Sequence, residues 1–156
     1  VVERGIDILR HRGIQHAIVT AGGDSRLLGD RRGRPWMVGI RDPREDGEVA
    51  ISVPLVDEAI STSGDYERYF DEDGIRYHHI IQPSTGKPAG GVHSATVFGP
   101  DAVMTDALST SVFVMGVERG LTLIGTLPDY ESIVIDATGK VFYSAGLMPP
   151  EAASAD

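Results

Sequence analysis

Asp106 and Thr110 stand four residues apart in a stretch, 102–115, that is otherwise rich in Ala, Val, Leu, Met and Phe. If that stretch is helical, the two side chains share one face. Two oxygen donors at this spacing suit a hard cation such as Mg²⁺, which takes few protein ligands and keeps water or phosphate oxygens. The plainer account is an Asp favoured by the helix dipole and a Thr bonded back to its own backbone, and spacing alone favours it. His78 and His79 follow each other in an apolar run, so a strand would send them to opposite faces. A ring that titrates near neutral pH can take a proton from an attacking hydroxyl, although a structural or exposed His is the commoner case. Gly22-Gly23-Asp24 closes another apolar run and could aim backbone N–H groups at a phosphate; a tight turn explains it as well. Thr62-Ser63-Gly64-Asp65 has the same two readings. The chain carries no Gly-rich dinucleotide fingerprint, no P-loop and no Ser nucleophile elbow.

These residues need elements to position them. Val2, Ile6 and Leu9 predict a helix over 2–12 that stops at Gly13. Strands are expected at Gln15–Thr20, Ser25–Leu28, Pro35–Ile40, Val49–Leu55, Glu58–Thr62, Ile75–Ile81 and Ser94–Phe98. Ser25–Leu28 and Pro35–Ile40 flank a polar turn, so Arg26, Arg31, Arg32 and Arg34 read as a solvated hairpin. Arg41–Gly47 and Pro83–Gly91 are loops. Asp101 is a fitting N-cap for a helix over 102–115, which is expected to pack its Val103, Ala107 and Val114 side on a sheet. A shorter helix follows at Arg119–Thr126, and Ser132–Ile135 with Val141–Ser144 make a closing hairpin. From Met148 the Pro/Ala-rich tail, 148–156, is expected to be disordered. The pattern is α+β: a single domain over 1–147 with a mostly antiparallel sheet and packed helices.

The chain of 156 residues is 41% hydrophobic and 24% charged, ordinary values for a globular protein. It contains no cysteine, which excludes disulfides, thiolate metal sites and cysteine nucleophiles, and leaves the compartment open. The net charge of −9 is uneven: residues 1–44 hold nine Arg against five acidic residues, while the remainder is strongly acidic. An acidic body argues against nucleic acid as a partner. A polyanionic ligand would need a bound cation or backbone N–H groups. The chain opens on Val1 rather than Met, and its first helix lacks a capping residue, so preceding polypeptide is expected.

Taken in order, the motifs resemble those of ApbE-type FAD:protein FMN transferases. The resemblance rests on Gly22-Gly23-Asp24, Trp36-Met37-Val38-Gly39-Ile40, Thr62-Ser63-Gly64-Asp65-Tyr66, His79-Ile80-Ile81-Gln82-Pro83-Ser84-Thr85-Gly86 and Asp106-Ala107-Leu108-Ser109-Thr110. It implies the C-terminal part of such a domain, with an ApbE/T-fold-like architecture. It also implies that Asp106 and Thr110 bind Mg²⁺, with the Val1 carbonyl as a further ligand. His79, not His78, becomes the base. Glu3, Ile80, Thr62, Gly23 and Asp24 become contacts for FAD. Gln82 stands where the family has Asp.

The activity so implied is Mg²⁺-dependent transfer of FMN from FAD to a Thr or Ser hydroxyl of a target flavoprotein, with release of AMP. The family's acceptor pattern, Asp-x-x-Ser/Thr-Gly-Ala-Thr, does not occur in this sequence, so the acceptor is expected to be a separate protein. An N-terminal half or companion chain would complete the flavin pocket. Two rivals remain: an FAD pyrophosphatase giving FMN and AMP, and a non-catalytic flavin-binding domain. The resemblance favours a bacterial protein of the cell envelope, with the cytoplasm also open.

Overall fold

The computed structural model describes residues 1–147; the tail expected to be disordered lies outside the described residues. In chain order the elements are α1 (Val2–His11), β1 (Ala17–Ala21), β2 (Asp24–Leu28), β3 (Trp36–Arg41), β4 (Val49–Leu55), β5 (Ala59–Gly64), β6 (Tyr69–Glu72), β7 (Ile75–His78), β8 (Ile81–Gln82), β9 (Lys87–Pro88), β10 (Val92–Gly99), α2 (Ala102–Met115), α3 (Val117–Gly125), β11 (Glu131–Asp136) and β12 (Val141–Tyr143). The fold is α+β, as its sequence pattern predicts. No helix among the described residues is long and apolar enough to cross a membrane.

Six strands form one antiparallel sheet in the order β1-β2-β5-β10-β11-β12. Alternation along its strands gives it two buried faces. Ala95, Val97 and Val134 point to one face, where they meet Leu108, Val112 and Phe113 of α2 and Ile124 of α3. Ile60, Phe98 and Ile133 point to the other, which is covered by Ile40, Val53 and Leu55 of the β3–β4 ribbon. The molecule is therefore layered as helices, sheet and ribbon. α1 packs at the β1–β2 end, where Val2 meets Ala59 and Ala102. It ends where Gly13 takes φ +77 and the Ile14 N–H reaches back 3.0 Å to the Leu9 carbonyl.

Three expectations need correction. Strands 25–28 and 35–40 do not pair with each other: β2 joins the main sheet, and β3 pairs with β4 on the opposite layer. The run Arg31–Arg34 is thus a crossover between layers. Arg26 is not solvated but 5% exposed, with its guanidinium 3.3 Å from Glu3 and 3.8 Å from Asp57. The strand expected over 75–81 breaks after His78, and its partner β6 had not been foreseen. The signal for that partner is Asp73-Gly74, both at positive φ, the two-residue turn that a twisted hairpin prefers.

The third correction concerns α2. Its buried side is Ala102, Thr105, Leu108, Ser109, Val112 and Phe113; of the expected side only Val114 packs on the core, whereas Val103 is 66% exposed and Ala107 is also exposed. The helix is apolar on nearly all sides, so its hydrophobic pattern cannot orient it. Pairing of buried hydroxyls with β5 does: Ser61 Oγ lies 2.9 Å from Thr105 Oγ1. Phe113→Ala should cost about 3–5 kcal/mol of unfolding free energy. Val103→Ala should stay within about 0.5 kcal/mol. Urea denaturation of the two variants checks the assignment, and equal losses would contradict it.

Candidate functional site

A cleft of about 520 Å³ opens at the end of the β1–β2 hairpin. β2 pairs with β5 only as far as Asp24 opposite Ser61, so the edge of β5 at Thr62–Gly64 is left free on that side. The hairpin turn is Gly22-Gly23, at φ +68 and +99, a conformation that residues with a Cβ rarely adopt. This turn sets Asp24 as the first residue of β2, on the cleft wall.

The facing wall is the first half of α2. Asp101 Oδ1 accepts from the Met104 N–H at 2.8 Å, and Glu3 Oε1 accepts from the Ala102 N–H at 2.7 Å. Two carboxylates thus cap one helix start, each from a different part of the chain. Asp106 and Thr110 follow one turn apart, and both line the cleft. A chain of hydroxyls fixes the orientation of Thr110. Ser109 Oγ donates to the Asp106 carbonyl at 2.9 Å. Ser63 Oγ, 2.9 Å from Ser109 Oγ, must therefore donate to Ser109. Thr110 Oγ1, 2.9 Å from Ser63 Oγ, must then donate to Ser63. Each hydroxyl has one proton to give, so the lone pairs of Thr110 are left free to accept.

Burial pushes the Asp24 carboxyl above its ordinary value. A hydrogen bond with Ser61 opposes that shift, the negative charge of Asp106 adds to it, and the Val1 amino group opposes it. Among the described residues neither Asp24 nor Asp106 takes part in an ion pair. No three His, Cys, Asp or Glu side chains gather into a full metal cage among the described residues. Mg²⁺ does not need one, because it binds through one or two carboxylates and keeps waters or phosphate oxygens. A carboxylate, an oriented hydroxyl and a second uncompensated carboxylate nearby fit such an ion.

The two histidines diverge. His78 is buried against Phe113, with ring centroids 5.5 Å apart. Its Nδ1 accepts from the Ile80 N–H at 3.3 Å, so Nε2 carries the proton and donates to the Ala89 carbonyl at 2.9 Å. Both nitrogens are in use. His79 is exposed and borders the cleft. Its backbone N–H and its Nδ1 both point at the Arg68 carbonyl, at 3.2 and 3.3 Å. A carbonyl only accepts, so Nδ1 holds the proton and Nε2 keeps a free lone pair.

The cleft thus brings together Gly23, Asp24, Thr62, His79, Asp106 and Thr110. Three other expected site residues are not among those that line the cleft. Glu3 is engaged by the α2 N-terminus and Arg26. Ile80 is 6% exposed in the helix-side core. The Val1 carbonyl accepts the Gly5 N–H at 3.1 Å as the first bond of α1. Gln82 also stands away from the cleft, with its amide 3.5 Å from the Val114 carbonyl. Arg41, Ser63, Tyr66 and Arg68 line the cleft without having been singled out. Ser63 and Tyr66 sit inside the Thr62–Tyr66 motif. Gly64 is required there, because a Cβ would come 2.5 Å from the Tyr66 ring. Asp65 faces away: burial raises its pKa, but hydrogen bonds and charge from Arg44 and then His93 bring it below the ordinary value.

The model of the ApbE family matches residues 1–134. The FAD:protein FMN transferase of Treponema pallidum is 36% identical, covering 95% of this chain and 44% of that protein. The Vibrio cholerae FAD:protein FMN transferase is 43% identical over 92% of this chain and 44% of its own. Among solved structures, the ApbE protein of Thermotoga maritima has a TM-score of 0.84 at 40% identity, covering 93% of this chain and 48% of that one. The flavin transferase ApbE of V. cholerae has a TM-score of 0.71 at 38% identity. The chain spans about half the length of these relatives.

The raised Asp24 has a consequence for stability. A carboxyl raised by folding leaves the stability intact below the ordinary carboxylate pKa and lowers it as pH climbs through the raised value. Asp24→Asn should therefore stabilise the protein at neutral pH, with the gain vanishing below pH ~4. Melting temperatures of both proteins across pH 3–8 check this; a gain that persists at the acid end would contradict it.

Proposed function

Because this chain belongs to the ApbE family, we propose that it forms one wall of the active site of an FAD:protein FMN transferase. The observation that carries the reading is that Asp106 and Thr110 of α2, Asp24 of β2 and His79 after β7, from three separate segments, converge on one cleft. The rest of the relatives' length would supply the remainder of the flavin pocket, from an N-terminal half or a companion chain. A cell-envelope location goes with the same reading.

Asp106 and Thr110 would hold Mg²⁺, which when bound neutralises pyrophosphate charge and orients it. Arg41 and Arg68, which also line the cleft, would add positive charge toward the pyrophosphate. The His79 Nε2 lone pair would take the proton of the acceptor Thr or Ser hydroxyl. The hydroxyl oxygen then forms a bond to the FMN phosphorus, the bond from that phosphorus to the bridging oxygen breaks, and AMP leaves with that oxygen. FMN ends as a phosphodiester on the acceptor. Asp24, beside Asp106, deepens the negative potential that attracts the cation. The Gly22-Gly23 turn leaves its backbone open to the ligand.

Two measurements on the complete protein test this reading. Asp106→Ala should abolish Mg²⁺-dependent transfer without unfolding the protein, and Ser63→Ala should raise the Mg²⁺ requirement by ~10–100-fold by freeing Thr110 to turn. Titration of activity against Mg²⁺, with far-ultraviolet circular dichroism as the folding control, reads both. Wild-type activity in Asp106→Ala would overturn the metal assignment.

His79→Ala should lose ~10²–10⁴-fold in transfer rate while FAD binding survives. His78→Ala should keep the chemistry, its damage appearing as lost stability, because His78 packs on Phe113. The assay is flavin fluorescence retained on a denatured acceptor, with its mass. Release of FMN and AMP without added acceptor mass would instead mean a pyrophosphatase. No Mg²⁺-dependent turnover of FAD would mean a binding domain.

A further inference from the structure

His79 and Arg68 border not one space but two. On one side lies the cleft; on the other is an apolar groove of about 430 Å³, walled chiefly by Tyr69, Phe70, Tyr77 and Ile81. These side chains come from the β6–β7 ribbon and from β8, outside the main sheet. Tyr69, Phe70 and Ile81 are 47%, 60% and 43% exposed. Contiguous exposed apolar surface of this kind marks a place where something binds.

The groove is built rather than incidental. Phe70 and Tyr77 stack with ring centroids 5.1 Å apart and planes 11° apart. On the other face of the same ribbon the Arg76 guanidinium sits 3.8 Å over the Tyr69 ring and is itself held by Asp71 at 3.1 Å, which stiffens the ribbon. The rings are thus fixed before anything binds, which lowers the entropy a partner must surrender. Tyr and Arg are also the residues that carry most at protein interfaces.

The position of His79 says what the occupant is. Its Nε2 has the free lone pair, and a base must lie within hydrogen-bond reach of the proton it removes. In-line displacement places the attacking oxygen opposite the leaving group. With the pyrophosphate on the Asp106–Thr110 side, the attacking hydroxyl must arrive past His79 from the other side, where the apolar groove begins. We infer that this groove seats the acceptor polypeptide, as an extended segment whose apolar side chains flank the reactive hydroxyl and lie on Tyr69, Phe70 and Ile81. The inference rests on the transferase reading for the identity of the occupant. Phe70 and Ile81 are then specificity determinants for the acceptor.

The test uses the complete protein loaded with FAD and a fluorescently labelled acceptor domain carrying an Asp-x-x-Thr-Gly-Ala-Thr segment. Fluorescence anisotropy measures its binding to wild type, Phe70→Ser and Ile81→Ser, and flavinylation is followed in parallel. Each variant should weaken acceptor binding, and raise the KM for acceptor, by about tenfold or more. FAD affinity, melting temperature and kcat at saturating acceptor should stay near wild type. Unchanged acceptor affinity in both variants, or no acceptor binding by wild type, overturns the inference. So does a parallel loss of FAD affinity or of melting temperature in both variants, which would give the groove to the flavin or to the rest of the polypeptide. Wild type that binds acceptor through these residues yet attaches no FMN would instead sink the transferase reading and leave the groove as a docking site.

Discussion

Helix α2 is fastened to strand β5 by hydroxyl groups, and the geometry of the cleft follows from that seam. Ser61 meets Thr105, and Ser63 meets both Ser109 and Thr110, each at 2.9 Å. Thr105, Ser61 and Ser109 are at most 1% exposed. A buried hydroxyl without a partner is costly, so the seam tolerates little sliding or rotation of the helix. A shift of one residue would leave several of these groups unpaired at once. The helix is apolar enough to bury almost any side, and the seam selects the one that leaves Asp106 and Thr110 on the open edge. The apolar contacts of Leu108, Val112 and Phe113 then supply the bulk of the burial without having to supply the orientation.

The same region carries an electrostatic burden. Asp24 and Asp106 face one cleft without a cationic side chain paired to either among the described residues, and burial and mutual repulsion raise the Asp24 pKa. Asp65, a few residues along the chain from the cleft edge, shows how the fold treats a carboxylate that is only structural. It is held by Arg44 in a two-pronged pair and by His93. Asp65 is thus ion-paired, whereas Asp24 and Asp106 are not, among the described residues.

His78 and His79 show how a small backbone event separates two like residues. The β6–β7 ladder ends at His78, and the Ile80 N–H turns back to the His78 ring. One imidazole is thereby consumed in holding the loop on Phe113. The next is held only through its Nδ1 side, at the Arg68 carbonyl. The ribbon that carries them stands apart from the main sheet and brings its own aromatic surface to the rim of the cleft.

Much of this was legible in the sequence. Local signals are contained in a few residues: Gly22-Gly23 turns a hairpin, Asp101 caps a helix, and alternation marks β4. The ordered motifs likewise identified Asp106, Thr110, Asp24, Thr62 and His79 together, because their types and order persist without reference to packing. What the sequence could not settle was everything decided between segments. An all-round apolar helix has no preferred face until Ser61 and Ser63 are brought opposite Thr105, Ser109 and Thr110. Arg26 is indistinguishable from Arg31 in a basic run until Glu3 arrives from α1 to pair with it. Glu3, expected only as a ligand contact, also caps a helix through a partner 99 residues away. Sequence determined which groups were available and what each could donate or accept; only the tertiary structure, by setting which of them exhaust one another, decided which remain free to act.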